Sequence, residues 1–265
     1  NNNPYVDENK TRRDWVKEVG FDIPGTGEVL YFTGCTAGLK LPETAKSTAK
    51  VLKAAGVDFA VLEDEPCCGS VMIRTGMVEE AKKNAEKAIE MISKSGAEKI
   101  VVTCAGCLKT LREDYKERFG LDFPEVLHVV EYLKPLIESG KLKLKKGADS
   151  KKITWHDPCH LGRALGIYED PRDVLKAIPG VELVEMKTNR EAAMCCGSGG
   201  GLRSYDGALA RKIAADRMND AEEIRVDILA TACPFCEHNL KEGVESIGSK
   251  IKIVDILDLL AQQLE

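Results

Sequence analysis

Apolar positions along this chain come in two alternating textures. Short, nearly continuous runs occur at Val29 to Thr33, Phe59 to Leu62 and Lys99 to Thr103, and again at Lys152 to His156, Val181 to Glu185 and Val226 to Ala230. Runs of this length bounded by polar and glycine-containing segments read as buried strands. Between them lie amphipathic stretches that predict helices at Pro42–Ala54, Met77–Ser95, Leu108–Arg118, Pro171–Ala177, Ala208–Glu223, Pro234–Val244 and Val254–Gln263. The helix at Met77–Ser95 is the clearest, because Val78, Ala81, Ala85, Ala88, Ile89 and Ile92 share one face and Gly96 follows as a stop. Strands alternating with helices predict an α/β fold with parallel sheets.

The cysteines divide the chain in two. All ten fall into two copies of one pattern: a lone Cys, then Cys-Cys-Gly, then Cys-x-x-Cys. The first copy is Cys35, Cys67, Cys68, Cys104 and Cys107; the second is Cys159, Cys195, Cys196, Cys233 and Cys236. Corresponding cysteines are offset by 124, 128 and 129 residues, as a duplicated domain with small loop changes requires. In both halves each group follows a predicted strand and precedes a helix, and ligands of open α/β sheets collect at the carboxyl ends of strands. The expectation is two pseudo-symmetric Rossmann-like domains, at 28–147 and 148–265, after an N-terminal arm at 1–27. Each carries a five-cysteine site at the strand C-terminal ends.

A disulfide framework belongs to small secreted domains, whereas this chain has 265 residues, 43% of them hydrophobic, and shows no secretory signal. A structural zinc takes four ligands, so two Cys-x-x-Cys units could form one site and leave six thiols unexplained. Five thiolates per motif exceed the four cysteine corners of a cubane cluster. An irregular iron–sulfur cluster accounts best for the ligand number.

Net charge is −5, which gives no electrostatic support to a nucleic-acid surface. The lysines from Lys141 to Lys152 read as a solvated connector, and Asn1 to Pro24 as a polar arm outside the core. No apolar run approaches the ~20 residues needed to span a bilayer, so a soluble, cytoplasmic chain able to dock on a membrane subunit is expected. Gly197, Gly199, Gly200 and Gly201 lack the spacing of a phosphate-binding loop and read as backbone closely approaching a cluster.

These motifs resemble the CCG-domain, or cysteine-rich, iron–sulfur oxidoreductases. The residues that carry the resemblance are Thr33–Thr36, Glu65–Gly69 and Thr103–Cys107 in the first half, and His156–Arg163, Met194–Gly201 and Ala232–Cys236 in the second. Within that family the chain is most similar to the B/D-type catalytic subunits of heterodisulfide reductases. Its arm, with Asn3–Tyr5 and Arg13–Trp15, resembles the linker that follows a ferredoxin domain in fused members. The resemblance implies two noncubane 4Fe-4S clusters held by all ten cysteines, and a mixed disulfide of two thiol coenzymes, coenzyme M and coenzyme B, cleaved between them. It also implies an electron-donating flavoprotein or ferredoxin-like iron–sulfur subunit, and leaves room for a membrane cytochrome.

Beyond the cysteines, His156 and His160 flank Cys159. They are candidates for protonating a leaving thiolate, or for bonding a cluster sulfide without taking part in chemistry. His128 and His238 read as ordinary surface or core residues. Arg163, Arg203 and Arg74 lie near cysteine groups and are candidates for holding an anionic substrate, with surface ion pairing the competing reading. Two other functions stay open: an electron-transfer subunit that links lactate, glycerol-phosphate or acyl-CoA oxidation to quinone, and a zinc-stabilised scaffold.

Overall fold

The computed structural model describes Tyr5 and residues 11–145 and 150–265. Its strands are β1 (Val29–Phe32), β2 (Phe59–Ala60), β3 (Lys99–Val102), β4 (Glu125–His128), β5 (Lys151–Trp155), β6 (Val181–Leu183), β7 (Ile228–Thr231) and β8 (Lys252–Asp255). They form two four-stranded sheets in the orders β2-β1-β3-β4 and β6-β5-β7-β8, with every pairing between them parallel. The same order twice is the fold-level form of the cysteine duplication. Phe32 pairs with Val102 in one sheet and Trp155 with Ala230 in the other, which brings the loops that carry Cys35 and Cys104, and those that carry Cys159 and Cys233, side by side.

The halves dock reciprocally. Helix Pro42–Ala54 of the first half packs on Ile256–Gln262 of the second, and Val129–Glu138 of the first packs on Glu169–Ala177 of the second. Lys134 Nζ fixes the latter contact, 2.9 Å from Asp170 Oδ1 and 2.7 Å from Asp173 Oδ2. One continuous apolar core runs through both sheets.

Two sequence expectations are corrected. The segment read as a polar arm outside the core forms a short 3-10 helix, Asp14–Glu18, whose Trp15 is 1% exposed and stacks 6.0 Å from Tyr31; one aromatic among polar residues is enough to anchor it, since indole burial is worth a large apolar area. The rest of the arm, residues 1–4 and 6–10, lies outside the described residues. The described lysines of the connector, Lys141, Lys143, Lys145, Lys151 and Lys152, are exposed as expected, while Leu142 between them is buried, Leu144 bridges to Leu264, and Lys151 and Lys152 belong to β5. Residues 146–149 of that connector, and with them the proposed boundary at 147/148, are outside the described residues. Finally, the expected helix at Val254–Gln263 begins as strand β8 and turns helical at Ile256, where the Asp255 carboxylate accepts the Leu257 N–H at 2.9 Å.

Candidate metal centre

All ten cysteines, five from each half, line a single cavity of about 220 Å³. The local chain explains this convergence. Cys35 opens a short helix, Cys104 and Cys233 cap the starts of Ala105–Lys109 and Pro234–Ile247, and Cys107 and Cys236 occupy those first turns. Helix starts present free N–H groups and a positive dipole end, each worth roughly 0.3–1 kcal/mol to a nearby thiolate.

Each Cys pair is followed by a glycine in the left-handed region, Gly69 at φ 78° and Gly197 at φ 82°. That turn lets Gly69 N donate to Cys67 Sγ at 3.4 Å and Gly197 N to Cys195 Sγ at 3.3 Å. A Cβ on Gly197 would lie 2.5 Å from the Ala210 carbonyl oxygen, so packing as well as conformation requires glycine there. The second sulfur of each pair meets the Cys-x-x-Cys unit: Cys68 and Cys107 Sγ are 3.2 Å apart, Cys196 and Cys236 Sγ 3.1 Å. None of the ten thiols is in a disulfide.

Supporting side chains hold the pairs by their carbonyls. Tyr115 Oη donates to Cys68 O at 2.9 Å, Asn84 Nδ2 donates to Cys67 O, and Asn239 Nδ2 donates to Cys196 O at 2.6 Å and Ala210 O at 3.0 Å. In the first half, the buried Glu65 carboxylate accepts the backbone N–H groups of Thr33 and Gly34, both at 2.7 Å, and ties the Cys67 loop to the Cys35 loop. Burial pushes the Glu65 carboxyl up to about 7, against the pull of the Arg12 guanidinium. Arg12 Nε in turn donates to Cys35 Sγ at 3.3 Å.

Charge settles the same way in both copies. Hydrogen bonds from Cys35 and Cys68 hold the Cys67 thiol well below its ordinary range, and bonds from Cys159 and Cys196 bring Cys195 down to about 2. The lone cysteines that donate, Cys35 and Cys159, are correspondingly pushed up, with burial adding to the effect. Cys104 and Cys233, one from each half, perturb one another: the Cys104 thiol is lowered and the Cys233 thiol raised.

The remaining candidates separate. His160 and Arg74 line the cavity; Arg74 Nη2 is 2.7 Å from Asp114 Oδ2, while its buried Nη1 has no partner among the described residues. Burial, then the charge of Arg74, lowers the pKa of His160. His156 is buried behind the second cysteine set. Arg163 donates through Nη1 to the carbonyls of Ala193 and Glu191, bracing the approach to Cys195. Arg203 is engaged by Glu242, Asn239 and His238. His128, an ordinary residue by its sequence, is fully buried at the junction of the halves: its Nε2 lies 3.1 Å from Thr103 O and 3.0 Å from Ala232 O, the carbonyls just before Cys104 and Cys233. Because Nδ1 accepts the Val130 N–H at 3.3 Å, Nε2 carries the proton and shares it between the two carbonyls.

The donor set suits iron–sulfur clusters. Five soft sulfurs per site, helix starts around them, and buried hydroxyls with no partner at Thr33 and Ser198 beside the cysteines are what an anionic sulfide-containing group would satisfy.

Two parallel α/β halves that focus ten thiols on one cavity define a class of cysteine-rich α/β protein suited to binding metal through thiolates. The chain belongs to the cysteine-rich (CCG) domain family, whose model matches residues 29–112 and 153–241, once in each half. It is 43% identical over 99% of its length to the D-type chain of the dihydromethanophenazine:CoB–CoM heterodisulfide reductase of Methanosarcina acetivorans, and spans 65% of that relative. It is 35% identical over 94% of its length to the B-type chain of the fumarate reductase (CoM/CoB) of Methanothermobacter marburgensis, covering 48% of it. To the probable iron-sulfur-binding oxidoreductase FadF of Bacillus subtilis it is 34% identical over 98% of its length, covering 39% of that protein.

Proposed function

We propose that this chain is the iron–sulfur part of an oxidoreductase that cleaves a small disulfide between two noncubane 4Fe-4S clusters, with the coenzyme M–coenzyme B heterodisulfide as substrate. The observation that carries the reading is the single cavity lined by both five-cysteine sets. The likeness to the heterodisulfide reductase of Methanosarcina acetivorans supports it. When bound, the clusters would supply electrons one at a time and iron able to hold a thiolate.

The chain's own residues do the rest. The two five-cysteine sets line one space and would each hold a centre, so that each sulfur of a disulfide would have a centre of its own. Arg74, anchored through Nη2 on Asp114, leaves Nη1 for an anionic group of the substrate. His160 stands on the same wall and can pass a proton to a departing thiolate. One S–S bond breaks, two electrons enter, and two protons end on two thiols. The electrons come from a flavoprotein or a ferredoxin-like iron–sulfur subunit. Among the described residues no helix is long and apolar enough to cross a membrane, so we assign any contact with a membrane cytochrome to docking.

A relay role, passing electrons onward without binding a disulfide, is the second reading; it is favoured by the likeness to FadF. A single-turnover experiment separates the two. The cluster-loaded protein in its complex, reduced by a low-potential donor and mixed with the heterodisulfide, is expected to yield two thiols for two electrons. Oxidation of the donor side with an external acceptor, but no disulfide cleavage, would leave only the relay.

A further inference from the structure

His156 occupies a position where the two halves differ. It stands three residues before Cys159 as Phe32 stands three before Cys35, each at the end of the central strand of its sheet. Phe32 is fully buried and apolar. His156 is 1% exposed, and neither Nδ1 nor Nε2 has a partner among the described residues. Buried polar groups are paired in folded proteins, and two unpaired nitrogens on one ring call for something that pairs with them.

The ring sits next to the second cysteine set. One of its nitrogens and the sulfurs of Cys196 and Cys236 all lie within 4.8 Å of one another, yet no hydrogen bond joins the ring to either sulfur. That spacing leaves room for an atom between imidazole and thiols. An imidazole carries an N–H in either protonation state, so the ring has a hydrogen to give to such an atom. The nearby Arg217 is itself held by Asp220 and Thr188.

We propose that His156 donates its N–H to the iron–sulfur cluster of the second five-cysteine set, a contact the first set lacks at Phe32, and thereby raises the reduction potential of that cluster alone. The inference rests on the reading that each set holds a cluster. Its physical basis is that a hydrogen bond to a cluster sulfur stabilises the more negative, reduced form. The first set has a different device, the Arg12 guanidinium on Cys35, so the two centres are tuned separately.

The test is an anaerobic potentiometric titration followed by electron paramagnetic resonance, on the cluster-loaded chain and its His156→Phe, His156→Gln and Arg12→Met variants, with iron and sulfide counted in each. Nitrogen-15 labelling of histidine adds a direct readout. The expected result is full iron in His156→Phe with one midpoint moved to lower potential, partial return in His156→Gln, movement of the other midpoint in Arg12→Met, and a weak nitrogen-15 coupling in the unsubstituted protein. Unmoved midpoints with intact iron would overturn the proposal. So would a strong coupling, or iron loss that glutamine fails to restore, since both mean that the ring is a ligand. Absence of iron and sulfide from the unsubstituted protein would instead remove the reading beneath it.

Discussion

Cys104 and Cys233, the first cysteines of the two Cys-x-x-Cys units, line one cavity from opposite halves of the chain, close enough for each to perturb the other's thiol. Each nevertheless belongs to a different five-cysteine set with its own glycine turn and its own clamp on the Cys pair. Cys104→Ser and Cys233→Ser should therefore each remove about half of the bound iron and leave the other centre's spectrum in place. Iron analysis and low-temperature spectra of the two variants check this; loss of all iron from either would mean that the sets form one site.

His128 ties the two Cys-x-x-Cys units together, because one imidazole N–H bridges the carbonyls before both of them. His128→Leu leaves those carbonyls and the Val130 N–H unpaired in the core, and should cost about 1–3 kcal/mol for each group that finds no water. The pH dependence follows from burial, which lowers the pKa of this ring. The folded protein keeps it neutral while the unfolded chain takes up a proton below about pH 6.5. Stability is thus fully present above that pH and declines as pH falls below it, and denaturant midpoints of His128→Gln should lack that part of the decline.

A buried ion network supports the loop before Cys159. Arg172, with no exposed side-chain surface, donates to Asp157 Oδ1 at 2.7 Å and Oδ2 at 2.9 Å and to Glu185 Oε1 at 2.6 Å. Asp157 also accepts the Trp155 indole N–H and the Arg190 backbone N–H. Removing one partner strands buried charge, so Arg172→Met should destabilise the protein by about 3–5 kcal/mol, measured by unfolding under anaerobic conditions.

The glycine run after the second Cys pair is not uniform. Gly197 has no room for a side chain and a positive φ, whereas nothing lies within 4 Å of a Cβ at Gly199. Gly197→Ala should lose the second centre's iron, and Gly199→Ala should keep it. Metal content of the purified variants decides the point.

The sequence made the paired cysteine groups and the two-half architecture legible because cysteine spacing and strand–helix alternation are local signals. The helix at Pro42–Ala54 has the bounds its pattern predicts. Strands β4 and β8 were not legible, since Glu125–His128 and Lys252–Asp255 are short and mix charged with apolar residues. Nor were the residues that hold the site through long-range contacts. Asn84, Asn239 and Tyr115 act on carbonyls 17 to 47 residues away, and His128 reaches one 104 residues away. Glu65 gave no signal of its own, being the last of three consecutive acids, Glu63, Asp64 and Glu65, ahead of Pro66 and Cys67. Arg163 and Arg203 look the same in sequence as Arg74, and only the fold shows that Arg74 alone of the three lines the cavity.

The most direct test of the central claim is the amount of iron, acid-labile sulfide and zinc per chain in protein purified without oxygen. The account predicts about eight irons and about eight sulfides, four of each for every five-cysteine set. Zinc with little or no sulfide would contradict it.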